Sequence, residues 1–291
     1  MTERFTPLLT STDWNAEWKR LQEARERADN PATWDKRSES FSTKHGSHSE
    51  YVDRFLELAA VQPGETVLDM GCGTGALAVP LASRGVHVVA ADFSPGMLGV
   101  LRAQAEERDL SGIEVRVLAW DDDWDAAGLG ENCVDVALAS RSIATSDLGE
   151  ALAKLTRVAR KRACITLGKS PSPRIDDMLL EACGLRRRVG WDFVYAFNIL
   201  VAAGIAPEIS YIASTRYETF ANSDDALATL SDIARNAVLG YATDNEIAQI
   251  EPRLRAWLAD NLVPSAKDPS QLELRCPRAS VWAFLSWSTT D

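Results

Sequence analysis

The stretch Val67-Leu68-Asp69-Met70-Gly71-Cys72-Gly73-Thr74-Gly75 constrains this chain more than any other. An apolar strand ends in an acid, three alternating glycines follow, and Ala76-Leu77-Ala78-Val79-Pro80-Leu81 predicts the start of a helix. Glycine lets the backbone turn sharply and lets a ligand approach the main chain. A helix N-terminus behind the turn offers N–H groups and a positive dipole to an anionic group. A bare glycine trio can also be a purely structural strand-to-helix turn. Either way it belongs to an α/β unit, and its details discriminate between ligands.

An ATP or GTP loop needs Lys-Ser or Lys-Thr after its last glycine; Ala76-Leu77 stand there. A dinucleotide turn reads G-x-G-x-x-G and packs a diphosphate on the helix start; here the spacing is G-x-G-x-G, and Asp69 repels a diphosphate. S-adenosylmethionine has no phosphate. It carries a positive sulfonium, a positive ammonium and one carboxylate. The N–H groups of Gly71, Gly73 and Gly75 suit that carboxylate, and Asp69 suits the positive end.

On these residues the chain resembles the class I S-adenosylmethionine-dependent methyltransferases, whose first motif is an apolar strand, an acid and G-x-G-x-G. The resemblance covers roughly residues 50 to 215 plus the last strand, and it implies that Asp69, Gly71, Cys72, Gly73 and Gly75 hold the cofactor. A second strand, Val86 to Ala91, ends in Asp92, 23 residues after Asp69. That offset matches an acid accepting from ribose hydroxyls. Asp92 also suits a helix start, as does Ser94-Pro95; both roles can hold. Phe93, Ser94 and Met97 then fall beside the adenine ring, although apolar residues at helical spacing also read as core. The resemblance assigns the adenine amino contact to Trp120-Asp121-Asp122 after a third strand, Glu114 to Ala119, with Asp121 the best match and the register open by one residue. A fourth strand, Val134 to Ser140, ends in Ser140-Arg141-Ser142, the end that faces the methionine part of the cofactor. Independently, ligands of open α/β sheets sit outside the carboxyl ends of the strands at a switch point.

The chain has 291 residues, 46% of them hydrophobic, enough for one large domain with additions or two small ones. A formal net charge of −11 argues against nucleic acid, whose binding rests on neutralised phosphates. Five scattered cysteines without C-x-x-C spacing read as reduced thiols, and His45, His48 and His87 show no metal-ligand pattern. No apolar run reaches membrane-spanning length and no signal-like segment opens the chain. These features point to a cytoplasmic protein without metal or membrane.

Periodicity predicts a helical N-terminal cap over 1–48, with amphipathic spacing from Thr12 to about Arg27 and a capping box at Ser47 and Glu50. The cofactor-binding α/β core spans 49–215, a helical insertion 216–275, and the final strand lies in 276–291. The predicted fold is a doubly wound, Rossmann-like, seven-stranded parallel sheet with helical additions at the N-terminus and between the last two strands. A structureless connection of more than 60 residues is improbable, hence the inserted helices, which offer a lid or homodimer surface.

The implied reaction is in-line displacement of a methyl group by a lone pair on a small-molecule acceptor. Alignment supplies most of the rate, and a base is needed only if the nucleophile holds its proton. Candidates near the methyl group are His45 as a base and Arg141 as an anion binder, each with a structural alternative. Trp34 and Phe41 are the best candidates to cover the cofactor; Trp191 and Tyr195 fit a pocket or ordinary core packing. The rival readings are a methyltransferase acting on RNA or protein, and a non-enzymatic S-adenosylmethionine-binding protein.

Overall fold

The computed structural model describes residues 11–25, 50–169, 175–186, 191–238 and 242–290. These fall into two compact units. The first takes the described residues up to Leu167, then Phe193–Ile212 and the chain from Ala283 onward; the second takes those within Gly168–Asp192 and Ala213–Trp282.

The seven-stranded sheet is built from β1 (Thr66–Met70), β2 (His87–Asp92), β3 (Ile113–Val117), β4 (Val134–Ser140), β5 (Ala159–Gly168), β6 (Glu208–Arg216) and β10 (Arg278–Ser288). Its order is β3-β2-β1-β4-β5-β10-β6. β1 pairs in parallel with β2 and β4, β2 with β3, and β4 with β5. Runs such as Val67-Leu68 and Val136-Ala137-Leu138-Ala139 are buried throughout, as strands covered on both faces require. The order reverses at β1, so the crevice of the sheet opens between β1 and β4.

The last strand departs from the all-parallel expectation. Lys169 N–H donates to the Val281 carbonyl and Thr289 N–H to the Lys161 carbonyl, so β10 runs antiparallel to β5. Strand-to-helix alternation reports parallel neighbours; it stops before the insertion and carries no information on how the chain returns. The architecture is otherwise the Rossmann-like α/β arrangement expected.

Helices α1 (Trp14–Arg25), α2 (Glu50–Ala59), α3 (Ala78–Ala82), α4 (Pro95–Glu107), α5 (Leu148–Val158) and α7 (Asp192–Ala202) belong with the sheet. Ser94 caps α4, its hydroxyl accepting from Met97 N at 3.2 Å, with Pro95 in the first turn. Asp147 caps α5, whose buried stripe is Leu148, Ala151, Leu152, Leu155 and Val158. α1 is fastened to the segment after β4: Trp18 Nε1 donates to the Thr145 carbonyl at 2.7 Å, and Asn15 bridges Asp147 and the Gly149 N–H. Ser47 lies outside the described residues.

The second unit contains α6 (Asp177–Ala182), α8 (Ser223–Val238), α9 (Asp244–Asn261) and a three-stranded antiparallel sheet ordered β7-β9-β8, from β7 (Thr219–Phe220), β8 (Leu262–Pro264) and β9 (Leu272–Leu274). Its core joins Leu179 and Leu180 of α6, and Cys183 just after it, to Leu227 and Leu230 of α8 and to Ile250, Leu254 and Leu258 of α9. Two features differ from the sequence reading. The insertion carries strands as well as helices, and the segment after β5, assigned by sequence to the core over 49–215, buries its apolar face within this unit. Periodicity shows that α6 has an apolar face but not which partner covers it. Among the described residues, no helix is long and apolar enough to cross a membrane.

Candidate functional site

The turn after β1 requires its glycines. Gly71, Gly73 and Gly75 have φ of 72°, 55° and 90°, in the left-handed region. A Cβ on Gly71 would lie 2.2 Å from the Ser142 Cβ, and one on Gly75 would lie 2.3 Å from the Leu101 Cδ1. A Cβ on Gly73 would meet nothing within 4 Å. Gly71 and Gly75 thus serve close packing, whereas the turn is open at Gly73.

The main-chain donors behave differently from the expectation. Gly71 and Cys72 N–H donate to the Ala91 carbonyl at 2.7 and 3.0 Å, Gly75 N–H donates to the Cys72 carbonyl at 3.0 Å, and Gly73 N–H donates to Asp92 Oδ2 at 2.9 Å. The glycine amides are therefore engaged within the protein rather than held ready for a ligand carboxylate. The helix begins only at Ala78 and is five residues long, and the Ala78 amide acts on the Asp69 carboxylate in the direction that lowers its pKa. Buried backbone donors find partners wherever geometry allows, and sequence spacing does not show which ones.

What remains available is negative charge. Asp69 is 2% exposed and its Oδ2 has no hydrogen-bond partner. Burial, and then the neighbouring Asp92 carboxylate, push the Asp69 pKa up to about 7. Asp92 is 6% exposed; besides Gly73 N–H it accepts from Ser94 N–H at 2.9 Å. The Cys72 thiol is also buried, and burial together with the two acids holds its pKa well above the usual thiol value.

Phe93 is half-buried directly after Asp92, Met97 lies in the core at 2% exposure, and the Ser94 hydroxyl is taken by its capping bond. After β3, Lys154 of α5 donates to the carbonyls of Trp120 and Asp122 at 2.7 and 3.0 Å. Asp122 Oδ2 accepts from Ala119 N–H at 2.8 Å, and Asp121 is exposed. Trp120 lies against Trp124, ring centres 5.6 Å apart, and its Nε1 donates to the Ser142 carbonyl at 3.0 Å.

The turn after β4 gathers residues that sequence reasoning passed over. The Tyr51 hydroxyl lies 2.8 Å from Ser140 Oγ and 2.7 Å from Thr166 Oγ1. Arg141 N–H donates to Thr166 Oγ1 at 3.0 Å, and the Arg141 guanidinium stacks 3.4 Å from the Tyr51 ring centre. Ser142 Oγ donates to the Met70 carbonyl at 2.6 Å. The one sequence signal was Thr166, a polar residue within the apolar stretch Ala163–Leu167 and 0% exposed. Tyr195 meets Trp14 and Trp18 edge-on, as aromatic packing. Trp34, Phe41 and His45 lie outside the described residues.

Comparison with known proteins identifies the domain that holds this site. The methyltransferase-domain family model matches residues 67–162, which run from β1 into β5. Residues 67–162 are therefore a methyltransferase domain, on the Rossmann-like fold of S-adenosylmethionine-dependent methyltransferases. An uncharacterized protein of Haemophilus influenzae is 36% identical over 186 residues, 62% of this chain and 66% of its own length. The demethylmenaquinone methyltransferase of Thermus thermophilus is 34% identical over 135 residues, 44% of this chain and 57% of its own. In both cases the match spans less than two thirds of the relative. A Haemonchus contortus phosphoethanolamine N-methyltransferase, solved with phosphomonomethylethanolamine and S-adenosylhomocysteine, shares the fold. Its TM-score is 0.50 at 14% identity, covering 96% of this chain and 61% of that one.

The residues of this methyltransferase domain fit the family's cofactor on grounds of charge. A buried carboxylate oxygen without a donor, a second buried carboxylate beside it, and open space at Gly73 suit a cationic ligand and are wrong for a phosphate.

Proposed function

We propose that this protein transfers the methyl group of S-adenosylmethionine to a small-molecule acceptor. The observation that carries the reading is Asp69 Oδ2, a buried acceptor without a partner, next to Asp92. Burying carboxylate charge is costly unless a cation compensates it, and the family's cofactor is cationic. When bound, S-adenosylmethionine supplies an activated methyl group for in-line displacement by an acceptor lone pair.

This chain's own residues then act by holding charge and position. Asp69 and Asp92 favour a positive ligand, and Gly73 leaves room for it. Asp92 remains the candidate for the ribose hydroxyls, Phe93 and Met97 for the adenine face, and Trp120, Asp121 and Asp122 for the adenine edge. The bonds already made by the Gly71, Gly73 and Gly75 amides support a turn-shaping role for the glycines. Arg141, exposed and stacked on Tyr51, is the acceptor-side candidate and favours an anionic group. The net charge of −11 supports a small acceptor over a polyanion, and the name of the Thermus thermophilus relative agrees.

Titration calorimetry with S-adenosylmethionine tests the cofactor site: saturable binding that Asp69→Ala abolishes is expected, and unaltered affinity in that variant would overturn the assignment. A metabolite extract incubated with protein and isotopically labelled donor tests the acceptor. Label in a small product is expected; label only in RNA or protein would refute the small-molecule reading.

A further inference from the structure

Ser140, the last residue of β4, and the two residues after it are tied to α2, β5, β1 and the loop after β3. The β1–β4 pairing ends at Asp69 with Leu138, where the crevice opens. Beyond it, Ser142 Oγ spans the gap to the Met70 carbonyl at 2.6 Å, immediately before Gly71. The Ser142 Cβ occupies the space that any side chain at 71 would need. The Ser142 carbonyl accepts from Trp120 Nε1 at 3.0 Å, and Trp120 belongs to the loop after β3. Arg141 holds φ of 59° with a full side chain, a left-handed conformation that costs free energy outside glycine. Its N–H bond to Thr166 holds that conformation, which turns the chain so that Ser142 meets β1. Strain of this kind persists only where surrounding contacts over-determine it.

We propose that Ser142 is a positioning residue for the methyl-donor site, coupling the glycine turn after β1 to the Trp120 loop after β3. The proposal rests on the donor-binding reading above. Ser142 bonds through its side chain to the Met70 carbonyl and through its own carbonyl to Trp120 Nε1. It holds Met70-Gly71 against β4 on one side, while Ala91 holds Gly71 from β2 on the other. The turn thereby keeps Gly73 open, and the Trp120 loop is set in register with it.

The test compares wild type, Ser142→Ala, Trp120→Phe and the double variant by titration calorimetry with S-adenosylhomocysteine and by melting temperature without ligand. Ser142→Ala removes the bond to Met70 and keeps the Cβ beside Gly71; Trp120→Phe removes the second bond and keeps most of the ring. The proposal expects roughly tenfold weaker binding in Ser142→Ala, the size of one lost buried hydrogen bond. It expects a smaller loss in Trp120→Phe, and a double variant weakened by less than the product because both act through one turn. Melting temperatures stay within about 4 °C of wild type. Binding within twofold of wild type in Ser142→Ala overturns the proposal, as do independent, multiplying losses or a fall in melting temperature without a change in affinity. Failure of the wild type to bind removes the donor reading and this proposal with it, so the two failures are distinct.

Discussion

Gly71, Gly73 and Gly75 reach their left-handed φ values by having no side chain, whereas Arg141 reaches 59° carrying a long one. The two turns lie at the carboxyl ends of adjacent strands, β1 and β4. The first owes its conformation to its glycines, with Ala91, Asp92 and Ser142 bonding to it. The second is shaped by its neighbours: Tyr51 from α2, Thr166 from β5, Met70 from β1 and Trp120 from the loop after β3. A turn that needs glycines announces itself as a motif. In Ser140-Arg141-Ser142 the sequence shows a strand end and a candidate anion binder, but not the contacts that hold the turn.

The largest test of this contrast is Gly71→Ala. Its Cβ would lie 2.2 Å from the Ser142 Cβ in an already unfavourable φ, so about 3 kcal/mol or more of stability is expected to be lost. Denaturant unfolding checks it, and a near-neutral result would mean that the β4 turn yields. Gly73→Ala sharpens the point: with open space around its Cβ, only the backbone cost of about 1–2 kcal/mol applies, while donor affinity falls more than tenfold. Equal stability losses at the two positions would erase the distinction between packing and open glycines.

Asp69 makes a prediction in pH. Its folded pKa of about 7 lies above the ordinary carboxylate value of 3.8, so the folded state retains a proton that the unfolded chain has released. Its contribution is full below about 4 and is lost as pH rises through about 7, on the order of a few kcal/mol. Ligand-free melting temperature therefore falls across that window, and Asp69→Asn flattens the profile. An Asp69→Asn profile parallel to wild type would remove the group from the site's electrostatics. S-adenosylmethionine affinity moves oppositely, rising as the carboxylate forms.

On the β4 side, Thr166→Val leaves the Arg141 N–H and the Tyr51 hydroxyl each one partner short, costing about 1–3 kcal/mol. Arg141→Gly is the smallest effect. Relief of the left-handed strain offsets the lost stacking on Tyr51, leaving stability within about 1 kcal/mol. A large loss there would make the β4 turn dependent on its own side chain.

The legible parts were those with a local cause. Ser94-Pro95 and Asp92 marked the start of α4 because caps act over three residues, and Val67-Leu68 marked a strand buried on both faces. The direction of β10 was not legible, because it depends on a return of more than 60 residues. Neither was the burial of α6 among α8 and α9, since an apolar stripe names no partner. Within the candidate site, the sequence marked the acids and glycines as candidates but did not show that Ala91, Cys72 and Asp92 take the glycine amides. Spacing locates a donor and says nothing of which carbonyl lies opposite.

The amino-acid order alone determined that a strand ending in Asp69 runs into a glycine turn and that a second strand ends in Asp92 at a fixed offset. Those are short-range properties of backbone freedom and apolar patterning. Tertiary structure decided that Asp92 takes the Gly73 amide, that Asp69 is left with an unmatched oxygen, and that Ser142 closes the gap beside Gly71. Each of those facts joins residues 19 or more apart in the chain, at distances that only the packed sheet sets.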